Sequence, residues 1–577
     1  MLNAAPLNSA PLNSAGSATQ EPVYVVRGQA FSWALRLVVD GANLTAQLTG
    51  TVEVDREEGA AAVASFDLYI PPGQTVTPPA WKGRAITLDY LSVSAGEATE
   101  ARRFTGAISQ ADWNPVRRIL SCECSDRLQQ RVEGMTVSAI DALVGGYWSA
   151  DLFEPVEGRS HWDYALERLS SVPASLDGSV TGELRLTSWY AGAPHFVFGP
   201  GTTLYETVEL QQSSLDSTTN RIELEINYRY SRLWQLTENY GWEHPDIDGL
   251  SGIGAFCTWR TWSTELPTTE MIEDAAADGG YQLVGEIAGT KLPLSMPNPC
   301  GDGNPWINTF DNLWLSAQFA AGSRWVQTVT EQYRLVLATE AGQVEGQQVV
   351  QRTSYSLSIE TDQAEQWTES PPDATGDVTT DLADEARRAA AITTALHIAR
   401  TDIIAAHRET TLSWQVPTSL ALGIDLVHTL ELSDQGAHAI GKCRRIVDAF
   451  DLGSGVATTT LSIAVMAGST TGDALSLPAR PDTTLPPLGQ IGSNLALPTQ
   501  LGGRINDPHT GQPIPPYDDA EPGFSGNYDT NDYPSAETFP RRFDLDAREI
   551  PEAYRDEHVA TAERLYRVAI PNDTLEL

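Results

Sequence analysis

Apolar and polar residues alternate through the first quarter of the chain. Phe31, Trp33, Leu35, Leu37 and Val39 interleave with Ser32, Ala34, Arg36 and Val38, the two-residue period of a half-buried strand. Phe66, Leu68 and Ile70 repeat it before Pro71-Pro72-Gly73 stops the run, and Ile86, Leu88 and Tyr90 repeat it again. Phe104, Gly106 and Ile108 then alternate on one strand and Leu120, Cys122 and Cys124 on the next, with Asp112, Asn114 and Pro115 marking the turn between them. Short strands punctuated by turns from about 21 to 134 predict an all-β sandwich or small barrel.

The same plan returns more than three hundred residues later. Lys442-Cys443-Arg444-Arg445-Ile446-Val447-Asp448-Ala449-Phe450-Asp451 leads through Gly453-Ser454-Gly455 into Thr460-Leu461-Ser462-Ile463-Ala464-Val465. A duplicated antiparallel module predicts two related barrels in one chain, the second within 376–475. Between them the pattern changes. His161 to Ser171 has helical spacing through Trp162, Leu166 and Leu169, and Leu184 to Trp189 reads as a strand, so 135–215 is expected to be a small α+β domain. Strands resume at Arg221–Tyr230 in a β domain spanning 216–375. Asp381 to His407 is the best helix, with a threonine cap at Thr379 or Thr380 and Leu382, Ala386, Ala389, Leu396 and Ile403 near helical spacing.

Both ends lack such periodicity. Leu2-Asn3, Leu7-Asn8 and Leu12-Asn13 open three five-residue repeats, each closed by Pro or Gly, which suits neither helix nor paired strand. Residues 1–20 are therefore either a disordered leader or an extended arm whose Leu2, Leu7 and Leu12 dock on a neighbouring subunit. From 476 to 577 the chain is rich in Pro, Gly, Asp and Asn, and such a stretch cannot build a core by itself. It reads as an extended C-terminal arm whose more apolar end, including Phe543 and Tyr566, docks on another surface.

Composition narrows the partners. At 577 residues the chain has room for three to five domains, and 41% hydrophobic residues are enough for real cores. A net charge of −39 disfavours binding to nucleic-acid phosphate or anionic membranes, yet suits a wall past which DNA slides. Lysine is nearly absent, with Lys82, Lys291 and Lys442 against an abundance of arginine. That bias is the mark of a GC-rich coding genome or of selection for bidentate Arg–carboxylate pairs at interfaces. No signal peptide and no run long enough for a membrane span is legible, so a soluble protein assembled in the cytoplasm is expected.

Candidate chemistry is thin. Cys122 and Cys124 share one strand face and read as buried structural thiols, since a tetrahedral metal site needs two further ligands. Cys257 and Cys300 flank a loop-rich region and could pair. His428 and His438 stand ten residues apart without a metal-binding pattern, and His407 beside Arg408 reads as a cation at a helix C-terminus. There is no nucleophile elbow, phosphate loop or dinucleotide fingerprint, so no catalytic, cofactor or metal residue is assigned. Residues 234–325 carry seven of the fifteen tryptophans. This Trp-rich insertion is either a core short of aliphatic residues or a glycan-stacking surface, with Trp259 and Trp262 as its candidates.

Arg103-Phe104-Thr105-Gly106, Arg118-Ile119-Leu120-Ser121-Cys122, the helix ending at His407-Arg408, Leu420 to Leu426 and Gly441 to Asp448 occur in an order that resembles the baseplate hub proteins of tailed bacteriophages. The Leu-Asn-Ser-Ala-Pro leader is similar to those of minor tail proteins from siphophages of GC-rich hosts such as pseudomonads. The resemblance covers roughly 21–235 and 375–470; the Trp-rich insertion and the Pro-rich tail depart from it. It implies a mainly β fold with two tail-tube-like barrel domains, and a homotrimer whose six barrels match a sixfold tube above and a threefold fibre below. It further implies distal tail or tail tube proteins, fibre or receptor-binding proteins and the tape measure protein as partners. DNA would be only transient cargo, no membrane insertion is implied, and the virion tail tip would be the location. A tail-associated carbohydrate-binding or carbohydrate-degrading protein using the Trp cluster is the alternative.

Overall fold

The computed structural model describes residues 22–25, 31–94, 97–212, 218–243, 267–292, 294–295, 312–344, 348–358, 376–488, 495–496, 524–525, 542–543, 545 and 548–577. The fold is mainly β with helical insertions, as the alternating patterns predict. Strands β1 (Phe31–Val39), β2 (Leu48–Glu57), β3 (Val63–Tyr69), β4 (Ala85–Ser94), β5 (Glu97–Asn114) and β6 (Ile119–Ser125) form barrel I. They lie in the order β2-β3-β6-β5-β4-β1, each antiparallel to its neighbours. Every second side chain points into one core built from Leu37, Val54, Phe66, Leu88, Phe104 and Leu120. Cys122 and Cys124 belong to that inward face, where burial pushes both thiols up, Cys122 to about 12.

A small insert follows: α1 (Leu128–Glu133), α2 (Val137–Val144), α3 (His161–Leu169) and the hairpin of β7 (Ala174–Gly178) and β8 (Leu184–Ser188). The α3 N-terminus is capped by the Ser160 hydroxyl, which accepts from the Asp163 N–H. Its buried stripe is centred on Tyr164 and Ala165, while Leu166 is 41% exposed. Of the residues in the sequence spacing, Trp162 and Leu169 pack against this core and Leu166 does not, because the helix faces α1, α2 and β7 together rather than a single flat sheet.

Two short strands, β9 (Phe196–Phe198) and β10 (Glu209–Gln211), precede a second sheet made of β11 (Arg221–Glu243), β12 (Gln282–Lys291), β13 (Trp314–Ala338), β14 (Val350–Ser358) and β15 (Gly376–Asp381). Helix α4 (Thr269–Asp278) packs beside β12. The long strands β11 and β13 pair from Arg221↔Ala338 to Glu243↔Ser316. Helix α5 (Glu385–Ala406) buries Ile392, Leu396 and Ile403 against Ile226, Tyr228 and Leu335 of that pair. It starts later than its spacing suggests. Thr379 and Thr380 are spent on the β15 ladder beside β11, and Asp384 caps the helix by accepting from the Arg387 N–H.

Barrel II closes the core of the molecule with β16 (Thr411–Pro417), β17 (Thr429–Asp434), β18 (Ala437–Asp451) and β19 (Val456–Ala464). It takes β9 and β10 from two hundred residues upstream, giving the order β10-β16-β19-β18-β17-β9. Beyond the Pro-rich stretch, β20 (His558–Arg567) runs parallel to β13 from Val329↔His558 to Ala338↔Arg567. The apolar end of the Pro-rich stretch therefore docks on the chain's own second sheet. Tyr566, Val568 and Ile570 are buried there, in the core beneath α5.

Candidate assembly junction

The two barrels repeat one four-strand unit in one register. Ala64↔Cys124 and Leu68↔Leu120 in β3·β6 correspond to Leu412↔Ile463 and Val416↔Thr459 in β16·β19. A 3-10 turn follows the first strand of each unit, at Pro78–Trp81 and at Thr418–Leu420. The β5·β6 ladder shifts register between Ile108 and Gln110, and the β18·β19 ladder between Cys443 and Arg445. Two residues before each bulge stands a glycine, Gly106 or Gly441. A Cβ there would lie 2.5 Å from the carbonyl oxygen of Ser125 or Ala464. The echo legible in the sequence is thus a structural duplication that extends to this bulge and its glycine.

The copies differ at their tips. Past the bulge, β18 and β19 extend through Phe450, Asp451, Val456 and Ala457, two residues per arm beyond the equivalents of Asn114 and Ile119. This extension leaves barrel II and pairs with β2 of barrel I from Arg445↔Glu57 to Asp451↔Thr51. Phe450 inserts into the core of barrel I, 5.9 Å from the Trp33 ring and 5.8 Å from the Tyr90 ring. One continuous sheet therefore runs through both barrels.

Buried arginine–carboxylate pairs lock this junction. Arg103 of β5 grips Asp448 of β18 through Nε at 2.9 Å and Nη2 at 2.7 Å, with the two side chains 1% and 0% exposed. The pair is fully satisfied, since the Thr459 hydroxyl donates to Asp448 at 2.6 Å and Arg103 also donates to the Leu422 carbonyl. Asp425 receives Arg56 of barrel I at 2.9 Å and Arg185 of β8 at 2.7 and 3.0 Å. Burial opposes its charge, yet those two guanidiniums hold its carboxyl down at about 2. Arg408 makes a third link, to Glu58, and stacks over Trp189 at 4.8 Å. Burial lowers the pKa of neighbouring His407, which disfavours a cationic ring at the helix end. His428, lowered to about 4 by burial, packs on His195 with ring centroids 5.1 Å apart. His438 lies apart from it, between Glu431 and Glu576.

The segments that carry the resemblance contain Arg103, Arg408, Asp425 and Asp448, but their pairing escaped the sequence reading, although a signal was present. Arg56 follows Val52 and Val54 on the inward parity of β2, and Asp448 stands between Ile446 and Phe450 on that of β18. A charge in a core-facing position requires a buried partner.

Of the residues singled out for docking, Leu2, Leu7 and Leu12 lie outside the described residues, Phe543 belongs to a two-residue strand paired with Phe524–Ser525, and Tyr566 is buried in its own chain. Trp259, Trp262, Cys257 and Cys300 also lie outside the described residues. Within the Trp-rich stretch, Trp234, Trp242 and Trp314 are core residues, and Trp234 stacks on Trp325 at 5.8 Å. Among the described residues no group of three His, Cys, Asp or Glu side chains is placed to hold a metal ion, and no helix is long and apolar enough to cross a membrane.

No family model and no curated sequence matches the chain. Among solved structures it is similar to the tail protein from Neisseria meningitidis MC58, with TM-score 0.34, 10% identity, 75% of this chain and 96% of that chain covered. It is also similar to the 43 kDa tail protein of prophage MuSo2 from Shewanella oneidensis, with TM-score 0.33, 11% identity and coverage of 75% and 98%. A third is prophage tail protein gp18 from Listeria monocytogenes EGD-e, with TM-score 0.29, 7% identity and coverage of 74% and 94%. With likenesses this distant, the duplicated barrels carry the functional reading.

Proposed function

We propose that the chain is a non-catalytic hub at the tip of a bacteriophage tail, a trimer whose six barrels form a ring around a channel for DNA. One observation carries this reading: two barrels of equal register, joined as consecutive members of one sheet, make a single chain supply two successive units of a ring. Three chains then present sixfold quasi-symmetry to a tail tube and threefold symmetry to a fibre or receptor-binding protein. The charge of −39 per chain supports the channel, because a wall repelling phosphate does not trap DNA in transit. The test is imaging of the purified full chain and of particles containing it. A threefold ring with an axial opening at the tail tip is expected; a protein that stays monomeric at micromolar concentration and is missing from particles overturns the reading.

A further inference from the structure

The intrachain junction has a vacant counterpart. In barrel II, β10 is the equivalent of β2: Leu210 opposes Leu412 as Val54 opposes Ala64. Four residues upstream of each, Glu206 and Gly50 share a left-handed backbone, φ 59° and 73°. Whereas β2 has β3 on one side and β18 on the other, β10 pairs only with β16 among the described residues. Conversely, the part of β5 past its bulge, Gln110–Asn114, is the equivalent of the β18 segment that reaches β2. Among the described residues it pairs only with β6. Among the described residues, each chain thus carries one unpaired donor edge and one unpaired acceptor edge of a junction whose completed form it already contains.

We propose that a second copy of this chain fills the gap, its β5 edge pairing antiparallel with β10 in the register Asp112↔Gln211, Trp113↔Leu210 and Asn114↔Glu209. This is the register of Val447↔Asp55, Asp448↔Val54 and Ala449↔Glu53 carried over position by position. Exposure supports the assignment. Trp113 takes the place of Asp448, which is fully buried at the completed junction, yet Trp113 is only half-buried here. The two most exposed of the large apolar side chains described are Val116, at 90%, and Tyr205, at 83%. The register brings the tip that carries Val116 to the segment that carries Tyr205. No buried Arg–carboxylate clamp is duplicated, because Trp113 replaces Asp448. The junction between chains therefore lacks the buried ion pair of the one within the chain and is the more separable of the two. Such a contact is heterologous, joining unlike edges, the kind that generates a ring when its rotation closes.

This inference rests on the ring reading above, and the test separates the two. In the full chain, Asp112→Cys and Gln211→Cys, both on exposed positions, are combined and mildly oxidised, with each single variant as control. Disulfide-linked species up to three chains, formed only by the double variant, are expected. An assembled ring that stays unlinked overturns these edges while leaving the ring standing; a monomer at all concentrations overturns both. Val116→Glu, at a side chain 90% exposed, gives a second readout. The concentration for half-assembly should rise by about tenfold or more with unchanged thermal unfolding of the isolated chain, and unaltered assembly counts against the proposal.

Discussion

Arg103 and Asp448 stand 345 positions apart and share two hydrogen bonds with both side chains buried. Taking two charges out of water is costly, and the pair is tolerable only because the guanidinium fork, the Thr459 hydroxyl and backbone carbonyls satisfy it. Removing one partner leaves the other charge buried alone. Arg103→Met should therefore cost about 3–5 kcal/mol, and adding Asp448→Leu should recover most of it, as read from denaturant midpoints. Asp425 gives the junction a pH dependence of definite sign. Its carboxyl lies below the ordinary 3.8, at about 2, so its contribution is complete above pH 3.8 and is lost as the pH falls through 2. Asp425→Asn should flatten that acid limb of the unfolding curve.

At the scale of elements, the repeated unit is defined by its defects as much as by its ladders. A bulge re-aims a strand and strengthens its twist, and both barrels place one where the long strand leaves its first neighbour. Gly106 and Gly441 allow the crossing backbone to come close. Gly106→Ala and Gly441→Ala should each destabilise by about 1–3 kcal/mol through overpacking against a carbonyl that cannot swing aside, lowering the thermal midpoint in both cases. The glycines and the alternation were visible in the sequence. The bulges were not, because a one-residue shift in pairing leaves no trace in local composition.

Across the whole molecule, chain order and spatial order part company. Barrel II takes strands from residues 196–211 and pairs with Leu575–Glu576, and the second sheet takes β20 from the far side of the Pro-rich stretch. The C-terminus is thus a keystone. Deleting 558–577 would expose the β13 edge and the surfaces covered by Tyr566, Val568 and Ile570, each worth about 2 kcal/mol of burial. The truncated chain should be largely insoluble or rapidly proteolysed, as measured by soluble yield and limited proteolysis.

The sequence by itself determined the β class, the strands of barrel I, the helix before barrel II and the existence of a duplicated hairpin, because two-residue and 3.6-residue periods are local properties of a chain burying one face. It also held, unread, the charged residues at inward parity that mark the junction. Only the tertiary structure decided which strands neighbour which, that the extended tip of one barrel enters the other, and that Tyr566 is core. Those outcomes depend on contacts between residues hundreds of positions apart, where hydrogen bonding and burial select partners that no local pattern names.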